Sequence, residues 1–352
     1  MLKITIKRAC MLGLMSLLSW SAHAQLAGKN VILVHGLQTS QLMREQVTDA
    51  QVEQEGADYW NEFWNQYADD RLDWSSKSRL GGDTAVRAYN KVIEWAQTGF
   101  CREGCIFVTH STGDLVVRYL LDKQDVWTQA AGLPELNVLA VLDFAGAGGG
   151  SELADLAIDV ADGGSLLEWT VSKAVSAYLG FDVTPSTLGV LEDLRPTVAR
   201  QTATAPSSVP RLRFVGGGTE YFGLTGGFLP GTDDGVVALH SACGGNAIAK
   251  VDSCVNYRAL DGKASSVRAP AGLWHNHYPV LMGKKTHHGG TVRQQTGVEL
   301  AYVNANFNAA GVSLALDTQS RTSGWWLWKN TYHTVKNSAG RSMSQVLVSS
   351  IR

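Results

Sequence analysis

The sequence predicts an α/β domain, a mostly parallel sheet covered by helices on both faces, and three observations predict it. Continuous apolar runs recur along the chain and read as buried strands, helical patterns lie between them, and two of the runs end in short turns that carry chemically active residues. In such a sheet the functional residues belong at the carboxyl ends of the strands. His35-Gly36 and Ser111 would both sit there.

In order along the chain, residues 1 to 24 read first as a secretory signal peptide. Lys3, Lys7 and Arg8 precede an apolar run from Met11 to Trp20, and Ala22-His23-Ala24 supplies a small-x-small cleavage site. That run is short for a membrane span. A secreted or periplasmic product is expected. The full chain has 30 basic and 32 acidic residues, and removing three basic ones leaves it more acidic, so no nucleic-acid partner is expected. Of the five cysteines, Cys10 leaves with the signal. An exported chain with four remaining cysteines suggests disulfides. The sequence-local pairing, Cys101 with Cys105 and Cys243 with Cys254, is one of three connectivities, and a metal site is disfavoured because the spacing lacks a C-x-x-C pair.

Asn30-Val31-Ile32-Leu33-Val34-His35-Gly36 reads as a buried strand ending in a glycine turn. Asp83 is placed to cap a helix carrying Val86, Tyr89, Ile93 and Ala96 on one face, with Gly99 past its end. Cys105-Ile106-Phe107-Val108 is the next strand, and Asp114 to Leu121 opens an amphipathic helix. Between them lies Thr109-His110-Ser111-Thr112-Gly113, the strand, sharp turn and helix of a nucleophile elbow. Val138 to Phe144 forms a further strand before a glycine-rich loop. Residues 151 to about 205 carry apolar helical patterning at Leu153, Leu156, Ala157, Val160, Leu166, Leu167, Trp169, Val175 and Tyr178, which suits either a lid or a packing layer. Leu212 to Gly216 is a later strand. From Gly311 onward, Val312 to Leu316, Trp325 to Trp328 and Val346 to Val348 read as short strands. The expected organisation is a signal at 1–24, a catalytic domain at 25–310 with its lid at about 151–205, and a β-rich extension at 311–352.

A serine hydroxyl attacks carbonyls only with help from a base that takes its proton and an acid that orients the base. In this sheet class the chain order is serine, acid, histidine. Asp234, in the turn Gly231-Thr232-Asp233-Asp234-Gly235, is the expected acid, with Asp143 in reserve. Among later histidines, His240 follows too soon, His333 lies in the tail, and His275 and His277 precede the last apolar run, Tyr278 to Met282. His287 is the favoured base and His288 the alternative, with His277 and His275 behind them. The backbone N–H groups of Leu37 and Thr112 are the expected oxyanion donors. His35 reads as a turn-supporting residue.

These segments together resemble the α/β-hydrolase fold and, within it, the lidded bacterial true lipases that act on triacylglycerols. Val34-His35-Gly36-Leu37 is similar to the lipase oxyanion segment and His110-Ser111-Thr112-Gly113 to its elbow. Gly150 to Leu156 resembles the start of the lid helices, and Asp234-Gly235-Val236-Val237 with Ser241 and Gly244 the acid-bearing segment. His287-His288-Gly289 is similar to the His-x-Gly around the base of some small lipases. The resemblance spans about residues 29 to 245. It implies Ser111 as nucleophile, Asp234 as acid, and Leu37 and Thr112 as oxyanion donors. Two residues depart from the elbow pattern, Thr109 and Asp114, each standing where glycine is common. Where those lipases have an acidic calcium ligand two positions after the base, this chain has Gly289 or Gly290, so neither calcium nor another cofactor is expected.

The expected activity is hydrolysis of carboxylic esters of acyl chains through an acyl-enzyme on Ser111. The expected partners are a lipid or other apolar ester and, transiently, a lipid interface. A polyester depolymerase or phospholipase would use the same residues. A non-catalytic binding protein on this scaffold is the alternative from another class.

Overall fold

The computed structural model describes residues 26–163, 168–248, 263–264, 272–283, 286–293, 305–309, 312–316, 318–325, 328–336 and 338–351. The expected signal segment and Cys254 lie outside the described residues, so neither the expected cleavage site nor the expected Cys243–Cys254 bond is described. Among the described residues no helix is long and apolar enough to cross a membrane.

The strands are β1 (Asn30–Val34), β2 (Asp70–Arg71), β3 (Cys105–His110), β4 (Val138–Phe144), β5 (Arg211–Gly216), β6 (Lys263–Ala264), β7 (His277–Gly283), β8 (Ala305–Ala309), β9 (Val312–Leu316), β10 (Thr318–Ser323) and β11 (Asn330–Val335). The helices are α1 (Thr39–Leu42), α2 (Asp49–Tyr59), α3 (Ala85–Thr98), α4 (Gly113–Ala130), α5 (Glu152–Ala161), α6 (Glu168–Leu179), α7 (Pro196–Ala199), α8 (Leu239–Ala242), α9 (His288–Val292) and α10 (Met343–Ser350). Six strands form the main sheet in the order β2-β1-β3-β4-β5-β7, every neighbouring pair parallel. Its central strands β3, β4 and β5 are wholly buried. The expected strands at 30–34, 105–108, 138–144 and 212–216 are therefore the strands observed. Cys101 and Cys105 are bonded to each other, with Cα atoms 4.9 Å apart.

Side chains alternate across the sheet and build two cores. One face carries Ile32, Val34, Phe107, Val141 and Val215 under α3, α4 and α5. The other carries Val31, Leu33, Val108, Leu142, Phe144 and Phe214 under Trp60, Trp64 and α10. Helix α3 ends where expected, at a left-handed Gly99 with φ 70°. Its buried stripe differs from expectation. Val86 is 56% and Tyr89 40% exposed, and the face against the sheet is Ala88, Val92, Trp95 and Ala96. The large Trp95 ring, held by its Nε1–H donating to Asp70 at 2.6 Å, fixes the helix rotation. Asp83 does not cap this helix; it pairs with Arg87 one turn on.

The end of the chain corrects a second expectation. Val346–Val348 lie in helix α10, not in a strand. Ser342 and Gln345 form a capping box at its start, and Met343, Val346 and Leu347 fall at helical spacing on the buried side. Trp64 Nε1–H donates to Ser344 at 3.1 Å, so this helix covers the main sheet. Trp325 and Trp328, expected within a strand, lie in the β10–β11 connection, both largely exposed. Within residues 151–205 the helices α5, α6 and α7 are found, with turns between them, and the expected positions Leu166 and Leu167 lie outside the described residues.

Candidate active site

Ser111 follows β3 directly and has φ 55°, the left-handed region. A side chain there costs about 1 kcal/mol, and the surroundings hold it in place. Its N–H donates to Phe144 O at 3.0 Å, and its carbonyl accepts from Asp114 and Ala147 N–H at 3.1 and 2.9 Å. Gly113 lets α4 start against β1, since a Cβ there would come within 2.3 Å of Val34 O. Gly36 is constrained in the same way, its would-be Cβ lying 2.9 Å from Ser111 Cβ. The turn after β1 is thereby pressed against the elbow. The N–H groups of Leu37 and Thr112 flank this junction, and neither donates to an acceptor among the described residues.

Asp234 is fully buried. Its Oδ1 accepts from Val236 and Val237 N–H at 3.0 and 2.8 Å, which fixes the carboxylate and aims Oδ2 outward from the turn. Oδ2 accepts from Nδ1–H of His288 at 2.9 Å, and His288 N–H donates to Asp234 O at 2.8 Å. The imidazole therefore carries its proton on Nδ1 and leaves Nε2 as an acceptor. Burial favours the neutral ring, but the Asp234 charge and hydrogen bond, with Glu220 beyond, outweigh it and raise His288 above its ordinary value.

The geometry thus brings His288, not the favoured His287, to Asp234. The two adjacent residues point apart. His287 precedes α9, and its side chain, 31% exposed against 9% for His288, turns toward Glu220 with Nδ1 at 3.1 Å from Oε1. Its Nδ1 also lies 3.3 Å from Gly290 N, an N-cap position. Glu220 Oε2 accepts from Gly289 N–H at 3.2 Å and so ties down the residue after His288. His277 is at the amino end of β7, where Arg213 donates to its Nδ1 at 3.3 Å, and His275 is an exposed turn residue. His240 is buried between Arg200 and Glu152.

His110, beside Ser111, packs against His288 with the rings tilted at a centroid distance of 4.8 Å and donates from Nε2 to His288 O at 3.1 Å. Its Nδ1 is left to accept from the Tyr59 hydroxyl. Burial holds His110 well below the ordinary imidazole value, with the neighbouring His288 adding to the shift. His35 has the supporting role expected. It stacks on Trp74 at 5.2 Å, donates from Nδ1 to Gly36 O at 2.8 Å and accepts at Nε2 from Trp74 N–H. Tyr178 of α6 and Tyr221 meet edge to face at 6.0 Å near Asp234 and Glu220. Tyr178 belongs to the apolar pattern expected at 151–205, whereas Tyr59, Glu220 and Tyr221 had no signal in the sequence, because each is a common residue type far along the chain from Ser111.

The two departures from the elbow pattern have partners. The Thr109 hydroxyl donates to Asp143 Oδ1 at 2.8 Å. Asp114 pairs with Arg211 and with Arg213, the latter at 2.8 Å, and accepts from Gly148 N–H at 2.8 Å. Burial alone would raise the Asp114 carboxyl, but Arg213, Arg211 and Arg118 outweigh it and hold it at about 2. Asp143, the reserve acid, is 2.8 Å from Arg213 Nη1, an ion contact not aligned as a hydrogen bond. It serves Thr109 and Arg213 rather than a histidine.

No family model matches the chain, and no curated protein matches it. Solved structures do. The chain is similar to the mature form of Bacillus licheniformis lipase BlEst2, with 19% identity and a TM-score of 0.41 over 61% of this chain and 79% of that one. It is similar to Staphylococcus hyicus lipase, with 12% identity and a TM-score of 0.42 over 75% and 88%. For the metagenomic carboxyl esterase MGS0156 the figures are 17% and 0.38 over 61% and 60%. The six-stranded parallel order, with a left-handed serine between β3 and α4, an aspartate after β5 and a histidine after β7, is the α/β-hydrolase fold.

Proposed function

We propose that this chain is an exported serine hydrolase of carboxylic esters, acting on acyl lipids through an acyl-enzyme. The observation that carries the proposal is the His288–Asp234 pair at 2.9 Å beside the left-handed Ser111. In this reading Ser111 Oγ adds to the ester carbonyl as its proton passes to His288 Nε2. The resulting imidazolium is stabilised by Asp234. The oxyanion is received by the N–H groups of Leu37 and Thr112, each worth about 3 kcal/mol when removed in comparable sites. His288 then protonates the departing alkoxide. A water, deprotonated by His288, attacks the acyl-enzyme and releases the carboxylic acid and Ser111. His110 holds the histidine by its carbonyl, and Glu220 holds the adjacent Gly289 N–H.

Export is supported by the Cys101–Cys105 bond together with the basic, apolar and small-residue order of the first 24 residues. The preference for acyl chains rests on the apolar helices α5 and α6, the second of which sets Tyr178 against Tyr221. Hydrolysis of 4-nitrophenyl esters from acetate to palmitate, with Ser111→Ala as control, tests the proposal. Activity that rises beyond the short chains and is lost in Ser111→Ala is expected. Activity unchanged in Ser111→Ala removes the mechanism, and a wild-type chain inert to every ester favours a binding protein.

A further inference from the structure

One rung of the main sheet, with Arg211 beside it on β5, is polar on a face that is otherwise largely apolar. Thr109, Asp143 and Arg213 are direct partners across β3, β4 and β5, and all three are fully buried on the face that α4 covers. Phe107, Val141 and Val215 share that face. Asp114, from the first turn of α4, closes the set against Arg213. Arg211 also pairs with Asp114, and burying five such groups among aliphatic residues is costly, since an ionic cluster of this kind gains little stability over an apolar one. Its placement is specific. Thr109 lies two residues before Ser111 and Asp114 three after, so the cluster grips both arms of the elbow.

Arg213 joins more than the elbow. Its Nε donates to Ala242 O at 2.7 Å, and Nη2 to Ser241 O at 3.0 Å and Gly146 O at 3.2 Å. Ser241 and Ala242 belong to α8, which follows the Asp234 turn directly. Gly146 precedes Ala147, whose N–H binds the Ser111 carbonyl. One planar guanidinium therefore touches the anchors of the elbow, the loop behind it and the helix that carries the acid turn. A lysine could supply the charge but not this fork of donors.

We propose that Arg213, acting through Thr109–Asp143 on one side and Asp114 on the other, is the positioning residue that sets Ser111 relative to Asp234 and His288. This rests on the proposed serine-hydrolase reading. The two glycine positions filled by Thr109 and Asp114 are then the elbow's attachment points, and Arg213 is their common partner.

The test uses the full chain with Thr109→Val, Thr109→Ser and Arg213→Lys. Melting temperature, kcat and KM on 4-nitrophenyl butyrate, and the rate of Ser111 labelling by a fluorophosphonate are measured for each. Thr109→Val is expected to lower kcat and the labelling rate on the order of tenfold with KM unchanged, since small misplacements of reacting groups cost that much or more. Thr109→Ser, which restores the hydroxyl, is expected to return both to wild-type values. Arg213→Lys is expected to lose on the order of a hundredfold; if it does not fold, the Thr109 pair decides. A folded Thr109→Val with kcat and labelling within twofold of wild type overturns the proposal. So does a loss that Thr109→Ser does not restore, or one that vanishes at temperatures where the variant is fully folded. A wild-type chain inert to ester and fluorophosphonate removes the hydrolase reading and this inference with it. An active wild type with unaffected variants removes the inference alone.

Discussion

The two faces of the main sheet differ in kind. Under α10 and Trp64 the packing is aromatic and aliphatic, with Phe144 stacked on Phe214 at 4.9 Å and Trp64 edge-on to Phe144 at 5.4 Å. Under α4 the apolar packing is interrupted by the Thr109–Asp143–Arg213 rung and its partner Asp114. The strands are shared, so both faces are equally part of the fold. One face supplies burial, which tolerates small shifts. The other supplies directional bonds next to Ser111, which do not.

The sharpest break in this comparison would come from the site itself. Ser111→Ala is expected to lower kcat by a factor on the order of 10⁵ while leaving the melting temperature within a few degrees. Ser111→Gly should be equally inactive and more stable by about 1 kcal/mol, because the left-handed backbone then carries no Cβ. A Ser111→Gly variant that melts below wild type would show the elbow unstrained. Next in size, His288→Ala should lose at least about 10³ in kcat, whereas His287→Ala should stay within about threefold, as measured on one ester.

Substitution on the apolar face should invert the pattern. Phe214→Ala is expected to cost about 3–5 kcal/mol in denaturant unfolding and to leave kcat of the folded fraction within a few-fold. If it instead reduced kcat as much as Thr109→Val with little loss of stability, the division between the faces would fail.

The smallest effect concerns pH. Asp234 and Glu220 raise His288, and the base works only when neutral, so the acid limb of kcat/KM should have its midpoint above the ordinary imidazole value of about 6.5. The sign for stability follows. A raised histidine stabilises the folded chain below its unfolded value, and that contribution is lost as pH rises through the folded value. Glu220→Gln should move the acid limb down by a fraction of a unit, and an upward move would contradict the assigned geometry. Asp114 has the opposite sign: held at about 2, it stabilises the fold above about pH 4, and that contribution is lost as pH falls toward 2.

Much of the sheet was legible because buried parallel strands write themselves as unbroken apolar runs, as at 30–34, 105–108 and 138–144. The elbow was legible because a sharp turn between strand and helix restricts residue types within a few positions. Helix rotation was not, since Val86 and Tyr89 fit an apolar stripe as well as Val92 and Trp95 do, and the contacts of Trp95 with Asp70 and Phe107, from other strands, separate them. Val346–Val348 looked like a strand because an apolar run with two β-branched valines draws attention from the capping box before it. The choice between His287 and His288 turns on which side of one backbone turn faces Asp234, a matter of direction that adjacent identical residues cannot encode. Thr109 and Asp114 looked like defects in a motif because their partners, Asp143 and Arg213, arrive from strands distant in the chain.

The most direct measurement is covalent labelling by a fluorophosphonate followed by mass spectrometry of the digested chain, in wild type, His288→Ala and His287→Ala. Wild type and His287→Ala are expected to carry the label on the peptide containing Ser111 at similar rates, and His288→Ala to be labelled at least about a hundredfold more slowly. Label on another residue, or a fast His288→Ala with a slow His287→Ala, would contradict the assignment of Ser111, His288 and Asp234 as the catalytic set.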